Sequence, residues 1–208
     1  MARASSLRRL PATRPVRAAR SDNRLPEVLA QAARAFRAKG YDAASIRDIV
    51  GAIDMLPGSL YYHFPSKEAL LLAVYAEGVR RFSEAVSAAI AASAAPWARL
   101  EAACIAHLET LLQESDFAQV VVRVRPSDVP AIAAQLVALR DGYEALFTRL
   151  VQALPLARGV DRRSLRLMLL GALNWSQTWY RGGRDDPRSI ARQFVALLRQ
   201  QLDSERRS

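Results

Sequence analysis

The chain is poor in the residues that build metal centres and disulfide frameworks, with one cysteine, Cys104, and two histidines, His63 and His107, among 208 residues. A lone cysteine forms no internal disulfide, which points to a reducing cytoplasm. Two distant histidines and one thiol fall short of the ligand set of a zinc site, so neither a metal nor a cofactor is expected. No apolar run reaches the roughly 18 to 20 residues that span a bilayer, so no membrane partner is expected. Glycine is also scarce, at 9 residues, in a chain that is 51% hydrophobic. Its apolar residues recur at helical spacing, and the expected fold is all-α.

Acidic residues are missing from the first 20 positions, MARASSLRRLPATRPVRAAR, which hold six arginines; without them the net charge falls from +10 to +4. Two prolines and little periodicity make residues 1–23 read as a disordered basic arm. Such an arm can track phosphates or enter a minor groove. A solvated tail, or a start codon set too early, fits the composition equally well.

What the chain does contain is concentrated in Ser45 to Phe64, SIRDIVGAIDMLPGSLYYHF. Ser45 is placed to cap a helix, with Asp48 three residues on completing a capping box. Ile46, Ile49, Val50 and Ile53 give that helix one buried face. Asp54, Met55 and Leu56 make a turn, and Pro57 suits the first position of the next helix. Upstream, Leu25, Val28, Leu29, Ala32, Ala33 and Phe36 form one stripe of a helix running from Leu25 to Lys39 and stopped by Gly40. Three short helices with the last one exposed are how helix-turn-helix proteins present side chains to the major groove.

These residues resemble the TetR family of bacterial transcription regulators. The resemblance rests on Ala33, Phe36, Gly40, the Ser45 to Ile49 segment, Pro57-Gly58-Ser59-Leu60-Tyr61-Tyr62-His63-Phe64 and Ser66-Lys67-Glu68-Ala69-Leu70, and spans residues 24 to 75. It implies a DNA-binding domain over 24–70 and a ligand-binding and dimerisation domain over 71–208. It also implies that Tyr62, His63 and Lys67 meet the phosphate backbone, while Ser45, Arg47, Pro57, Gly58 and Ser59 lie nearest the bases; Tyr61 is a further candidate contact or a core residue. The family usually has glycine where this chain has Asp54, and serine or threonine where it has Leu56. Aspartate tolerates a left-handed backbone better than most residues. Leucine cannot cap a helix, a loss of about 1 kcal/mol.

Beyond Pro65 the chain becomes a series of amphipathic segments. A helix from Ser66 to about Ala94 carries Leu70, Val74, Phe82, Val86 and Ile90 and links the two lobes. Pro96 opens another with Leu100, Cys104, His107 and Leu111. After a break at Pro126 to Pro130, Ile132 to Leu154 form a long stripe. The last helices, Asp161 to Arg181 and Asp186 to Asp203, carry two apolar stripes. Leu165, Met168, Ala172, Trp175 and Trp179 make one; Ile190, Phe194, Leu197, Leu198 and Leu202 make the other. Paired across a two-fold axis they would close a four-helix homodimer interface.

The stretch Leu169 to Leu198, with Asn174-Trp175, Trp179-Tyr180 and Gly182-Gly183, is similar to the branch of the family that responds to acyl-CoA thioesters in fatty-acid, phenylacetate or steroid degradation. That resemblance implies a small hydrophobic or acyl-CoA effector, which needs an apolar tunnel and cationic surface. The candidate effector-binding residues are His107, Leu111, Phe117, Arg125, Tyr143, Phe147, Met168, Asn174, Trp175, Thr178 and Trp179, with Leu108 and Leu112 as further walls. Arg123, Arg140, Arg149 and Arg181 join Arg125 as phosphate candidates, since the guanidinium fork suits phosphate.

The reading is therefore a ligand-responsive, homodimeric repressor on a palindromic DNA operator, not an enzyme. Two alternatives remain open. One is a ligand-independent or non-specific DNA binder driven by the basic arm. The other is a redox sensor or enzyme built on Cys104 and His107, three apart on one helix face, although no orienting group completes such a pair.

Overall fold

A computed structural model describes residues 24–113, 115–183 and 186–202, so the expected basic arm over 1–23 and Asp203 lie outside the described residues. The described chain is built of α-helices joined by short turns, as the amphipathic periodicity requires. The first helix, α1 (Leu25–Ala43), buries Val28, Ala32, Ala33 and Phe36, and breaks at Gly40, whose φ of 77° only glycine adopts freely. α2 (Ile46–Gly51) starts at Ser45, whose Oγ accepts the Asp48 amide at 3.0 Å. The expected capping box is only half formed: the end of α1 brings Lys39 Nζ within 2.8 Å of the Asp48 carboxylate, which goes there instead. The turn holds Asp54 at φ 49°, and α3 (Pro57–His63) begins at Leu56 without any side-chain cap.

α4 (Lys67–Ala91) is capped by Ser66 and buries Leu70, Leu71, Val74, Tyr75, Val79, Phe82 and Val86 along its length, so one continuous helix runs through both lobes. α5 (Pro96–Leu112), α7 (Ala133–Gln152), α8 (Arg162–Trp179) and α9 (Pro187–Leu202) follow the expected segments to within three residues at each end. The sequence reading missed α6 (Asp116–Arg123), an eight-residue helix capped by Ser115.

α6 changes how the lobes are divided. The core of the DNA-binding unit does not close on α1, α2 and α3 alone; Val28, Phe36, Ile49 and Leu60 share one apolar cluster with Leu71 and Val74 of α4, Phe117 and Val120 of α6, and Ile132 and Leu136 near the start of α7. The expected boundary at residue 70 thus falls inside a helix and inside a core. A second cluster joins Phe82 and Val86 to α5, α7, α8 and α9, and Val121 and Tyr143 pack against both clusters. α6 can lie against α4 because residue 78 is glycine: a Cβ there would sit 2.9 Å from the Phe117 carbonyl oxygen and 2.5 Å from Val121 Cγ2. Arg37 Nη1 of α1 donates to Asp116 Oδ1 of α6 at 2.9 Å, fastening the same joint on its other side.

Candidate nucleic-acid interface and effector cavity

The helix-turn-helix is braced from behind and open in front. At the back, the Arg24 guanidinium donates to the Ile53 carbonyl, and the Tyr41 hydroxyl donates to Glu68 Oε1 at 2.5 Å, tying α1 to the turn and to α4. Leu60 is buried and Phe64 half-buried, as core residues of this unit. In front, Ser45, Arg47, Gly58, Ser59, Tyr61 and Tyr62 are all exposed, Tyr62 by 84% and the departing residue Leu56 by 76%. No residue of the described chain covers them. Pro57 and His63 are half-buried, and the His63 ring meets Tyr62 edge-on at 5.3 Å. Gly58 has open space where a Cβ would stand. Lys67 does not simply project outward: its Nζ donates to the Asp42 carbonyl at 3.0 Å and lies 4.4 Å from the Tyr41 ring centre. One of the three N–H donors of its ammonium is thus engaged by Asp42.

A cavity of about 300 Å³ lies where the two clusters meet, between α4, α5, α6, α7 and α8. Four of the eleven candidate effector-binding residues line it: His107, Arg125, Tyr143 and Asn174. Its remaining walls include Tyr75, Phe82, Val121, Val122, Val124, Pro126, Arg140, Glu144 and Leu170. Most of these escaped notice in the sequence because they come from α4, the unforeseen α6 and the turn after it. The one available signal was Ser115, a helix cap placed before the Val-Val-Val run.

The cavity's polar end is a chain of hydrogen bonds running from Tyr143 through His107 to Asn174. His107 Nδ1 is 2.7 Å from the Tyr143 hydroxyl, and Nε2 is 3.1 Å from Asn174 Oδ1. Burial pushes the imidazole down to about 4, with the bond to Asn174 only partly opposing it, so the ring is neutral at neutral pH. Burial also raises Tyr143 well above the usual phenol range. A neutral ring has one N–H, so Nε2–H donates to Asn174 Oδ1 while Nδ1 accepts from Tyr143. Phe82 and Phe147 pack on this chain with ring centres 5.1 and 6.0 Å from His107.

The other effector candidates are elsewhere. Leu111, Phe117 and Phe147 are buried in the apolar clusters and do not line the cavity, because their positions on α5, α6 and α7 point into helix packing. Met168, Trp175, Thr178 and Trp179 do not line this cavity either: all four lie on the exposed face of α8, Met168 by 56% and Trp175 by 67%. They stand on the side of the helix opposite Leu169, Leu170 and Leu173, which face inward. With Leu167 and the open Gly171 they form an outer stripe, apolar but for Thr178. Leu165, expected on that stripe, is buried in the chain's own core, as is Ile190 of α9, whereas Leu197 is exposed. Among the phosphate candidates, Arg125 and Arg140 are at the cavity; Arg123, Arg149 and Arg181 are not.

The thiol reading is also corrected. Both His107 ring nitrogens are engaged by Tyr143 and Asn174, and burial raises the Cys104 thiol far above its usual range, so no thiolate and imidazole pair exists. No helix among the described residues is long and apolar enough to cross a membrane.

The exposed helix-turn-helix and the helical lobe behind it match known sequences. Residues 28–74 match the family described as "Bacterial regulatory proteins, tetR family", and residues 93–202 match "Tetracyclin repressor-like, C-terminal domain". The chain belongs to the TetR family. Among curated TetR relatives, the HTH-type transcriptional repressor AcnR of Corynebacterium efficiens is 37% identical over 65 residues, which is 31% of this chain and 35% of AcnR. The chain thus matches about a third of the length of such relatives. Solved structures match more fully. The superantigen PfiT is 28% identical with a TM-score of 0.72, over 86% of this chain and 95% of PfiT. AibR, crystallised with isovaleryl coenzyme A and operator DNA, is 25% identical with a TM-score of 0.72, over 84% of this chain and 97% of AibR.

Proposed function

We propose that this TetR-family chain is a transcriptional repressor that binds a palindromic operator as a homodimer and is released by an acyl-CoA thioester. The observation that carries the reading is the joint at α6: the same short helix walls the cavity through Val121 and Val122 and holds α1 through Asp116 and Arg37. A ligand that reshapes the cavity therefore acts on the helix that positions the DNA-binding unit. Tyr62, His63 and Lys67 position the protein on phosphates, whereas Ser45, Arg47, Pro57, Gly58 and Ser59 are the candidates for base edges, with Tyr61 beside them. The outer stripe of α8 pairs with its copy, setting two recognition helices about 34 Å apart, one turn of DNA. AibR, of the same fold, binds both isovaleryl coenzyme A and operator DNA, which supports the effector class.

Moving operator occupancy from 99:1 to 1:99 requires the effector to prefer the released state by about 5.5 kcal/mol. The test is a salt titration of binding to an operator selected in vitro and to random DNA. Phosphate contacts alone give parallel slopes of about 0.9 per neutralised phosphate on both, while base reading adds affinity on the operator only. Equal affinity for the two DNAs refutes the repressor and leaves a non-specific binder.

A further inference from the structure

The cavity has a size and a polarity that select among effectors. At ~30 Å³ for each non-hydrogen group, 300 Å³ holds roughly ten of them. A palmitoyl chain or a steroid nucleus exceeds that space, and the wall at Val121 is fixed by the close approach of α6 to Gly78 of α4.

Its hydrogen-bonding capacity is also one-sided. Asn174 Oδ1 is taken by His107, but the Asn174 amide nitrogen has no partner among the described residues, and Asn174 lines the cavity. Two N–H donors are therefore available at the inner end. No cation accompanies them, because His107 is neutral, so a carboxylate seated there would be a buried unpaired charge, whereas a neutral carbonyl would be satisfied. Cationic charge is found only where the cavity meets solvent. Arg125 is exposed with no ion-pair partner among the described residues, while exposed Arg140 is loosely paired with Glu144 at 3.7 Å and Asp141 at 3.9 Å. Glu144 is itself held by Arg166.

We infer that the effector is a short-chain acyl thioester, its carbonyl oxygen accepting from the Asn174 amide, its acyl group filling the space between Phe82, Val121 and Leu170, and its phosphates meeting Arg125. This rests on the effector-responsive reading above and narrows it by chain length and by anchor.

The test is calorimetric titration of the full-length protein, without DNA, using acetyl-, isovaleryl-, octanoyl- and palmitoyl-CoA and a steroid-derived CoA thioester. Affinity peaks between the five-carbon and nine-carbon acyl groups and falls at least tenfold at palmitoyl and at the steroid. The S-alkyl thioether of the best chain, which keeps the length and lacks the carbonyl, binds at least tenfold more weakly, and so does the thioester to Asn174→Ala. Arg125→Ala weakens the CoA thioester but leaves the N-acetylcysteamine thioester, which has no phosphate, unchanged. Palmitoyl or steroid thioesters binding as tightly as the best short chain, or an unweakened thioether, overturns the inference without any variant having to fold. Silence of every thioester alongside selective operator binding defeats this inference and spares the regulator; thioester binding without selective DNA binding does the reverse.

Discussion

Asp54 and Leu56 hold the recognition helix in a conformation that the chain's own residues disfavour, and their replacement measures by how much. Asp54 sits at φ 49° in the turn, where an L-residue other than glycine costs about 1 to 2 kcal/mol and aspartate falls at the lower end. Leu56 occupies the N-cap of α3 with no side-chain bond to offer, and serine in that position contributes about 1 kcal/mol by accepting from the first-turn amides. Leu56 is 76% exposed, so replacing it removes no core contact. The two sites are two residues apart and share one turn, so their effects need not add fully; about 2 kcal/mol is the expected gain for Asp54→Gly with Leu56→Ser. For a domain of 150 to 250 residues that corresponds to about 4 to 8 °C in Tm. Calorimetry reads the shift, and native-state hydrogen exchange reads it locally, with α3 amides about 30-fold better protected. A pre-organised α3 also tightens operator binding. An unchanged Tm together with unchanged protection in α3 refutes this account of the turn.

Two further perturbations address the dimer and the buried histidine. Met168→Glu puts a charge at the centre of the outer α8 stripe, beside Gly171 and Trp175, and is expected to yield monomers in sedimentation with the helical signal intact; a persistent dimer moves the interface elsewhere. His107 ordinarily titrates near 6.5 but is held at about 4 by burial, so between these values the unfolded chain takes up a proton that the folded chain refuses, and stability falls as pH drops. At pH 5 the loss is about 2 kcal/mol relative to pH 7, and denaturant unfolding should show it vanish in His107→Gln. Glu77, whose carboxyl is held down to about 2 chiefly by its hydrogen bond from Arg80, loses its contribution only below its ordinary 4.5, so the window from pH 5 to 6.5 reports His107; a flat profile there refutes the neutral buried ring.

How far the sequence could be read follows from the range of the forces involved. The Ser45 and Ser66 caps, the Gly40 break, the left-handed Asp54 and the empty cap at Leu56 are all local, set by a residue and its neighbours within one turn, and each stands where its chemistry places it. The buried stripes of α1, α4 and α5 were equally legible, since a 3.6-residue period needs no knowledge of the partner surface. α6 was not legible: eight residues fall short of the roughly 11 to 18 over which a helical period can be read, and the helix is stabilised by packing on α1 and α4. The aromatic residues of α8 were read for their type, but type does not tell which side of a helix faces the core. Met168 and Leu169 are adjacent in sequence and on opposite sides of the chain's surface.

The sequence by itself determined the helical elements other than α6 and the helix-turn-helix, because these depend on local backbone chemistry and on periodicity. Tertiary structure alone decided that α6 and Gly78 join the two lobes, that Lys67 turns to Asp42, and that His107, Tyr143 and Asn174 share one cavity while Trp175 stands outside it. Those three cavity residues come from α5, α7 and α8, up to 67 positions apart, and only the packing of helices against one another brings such distant side chains within hydrogen-bond range.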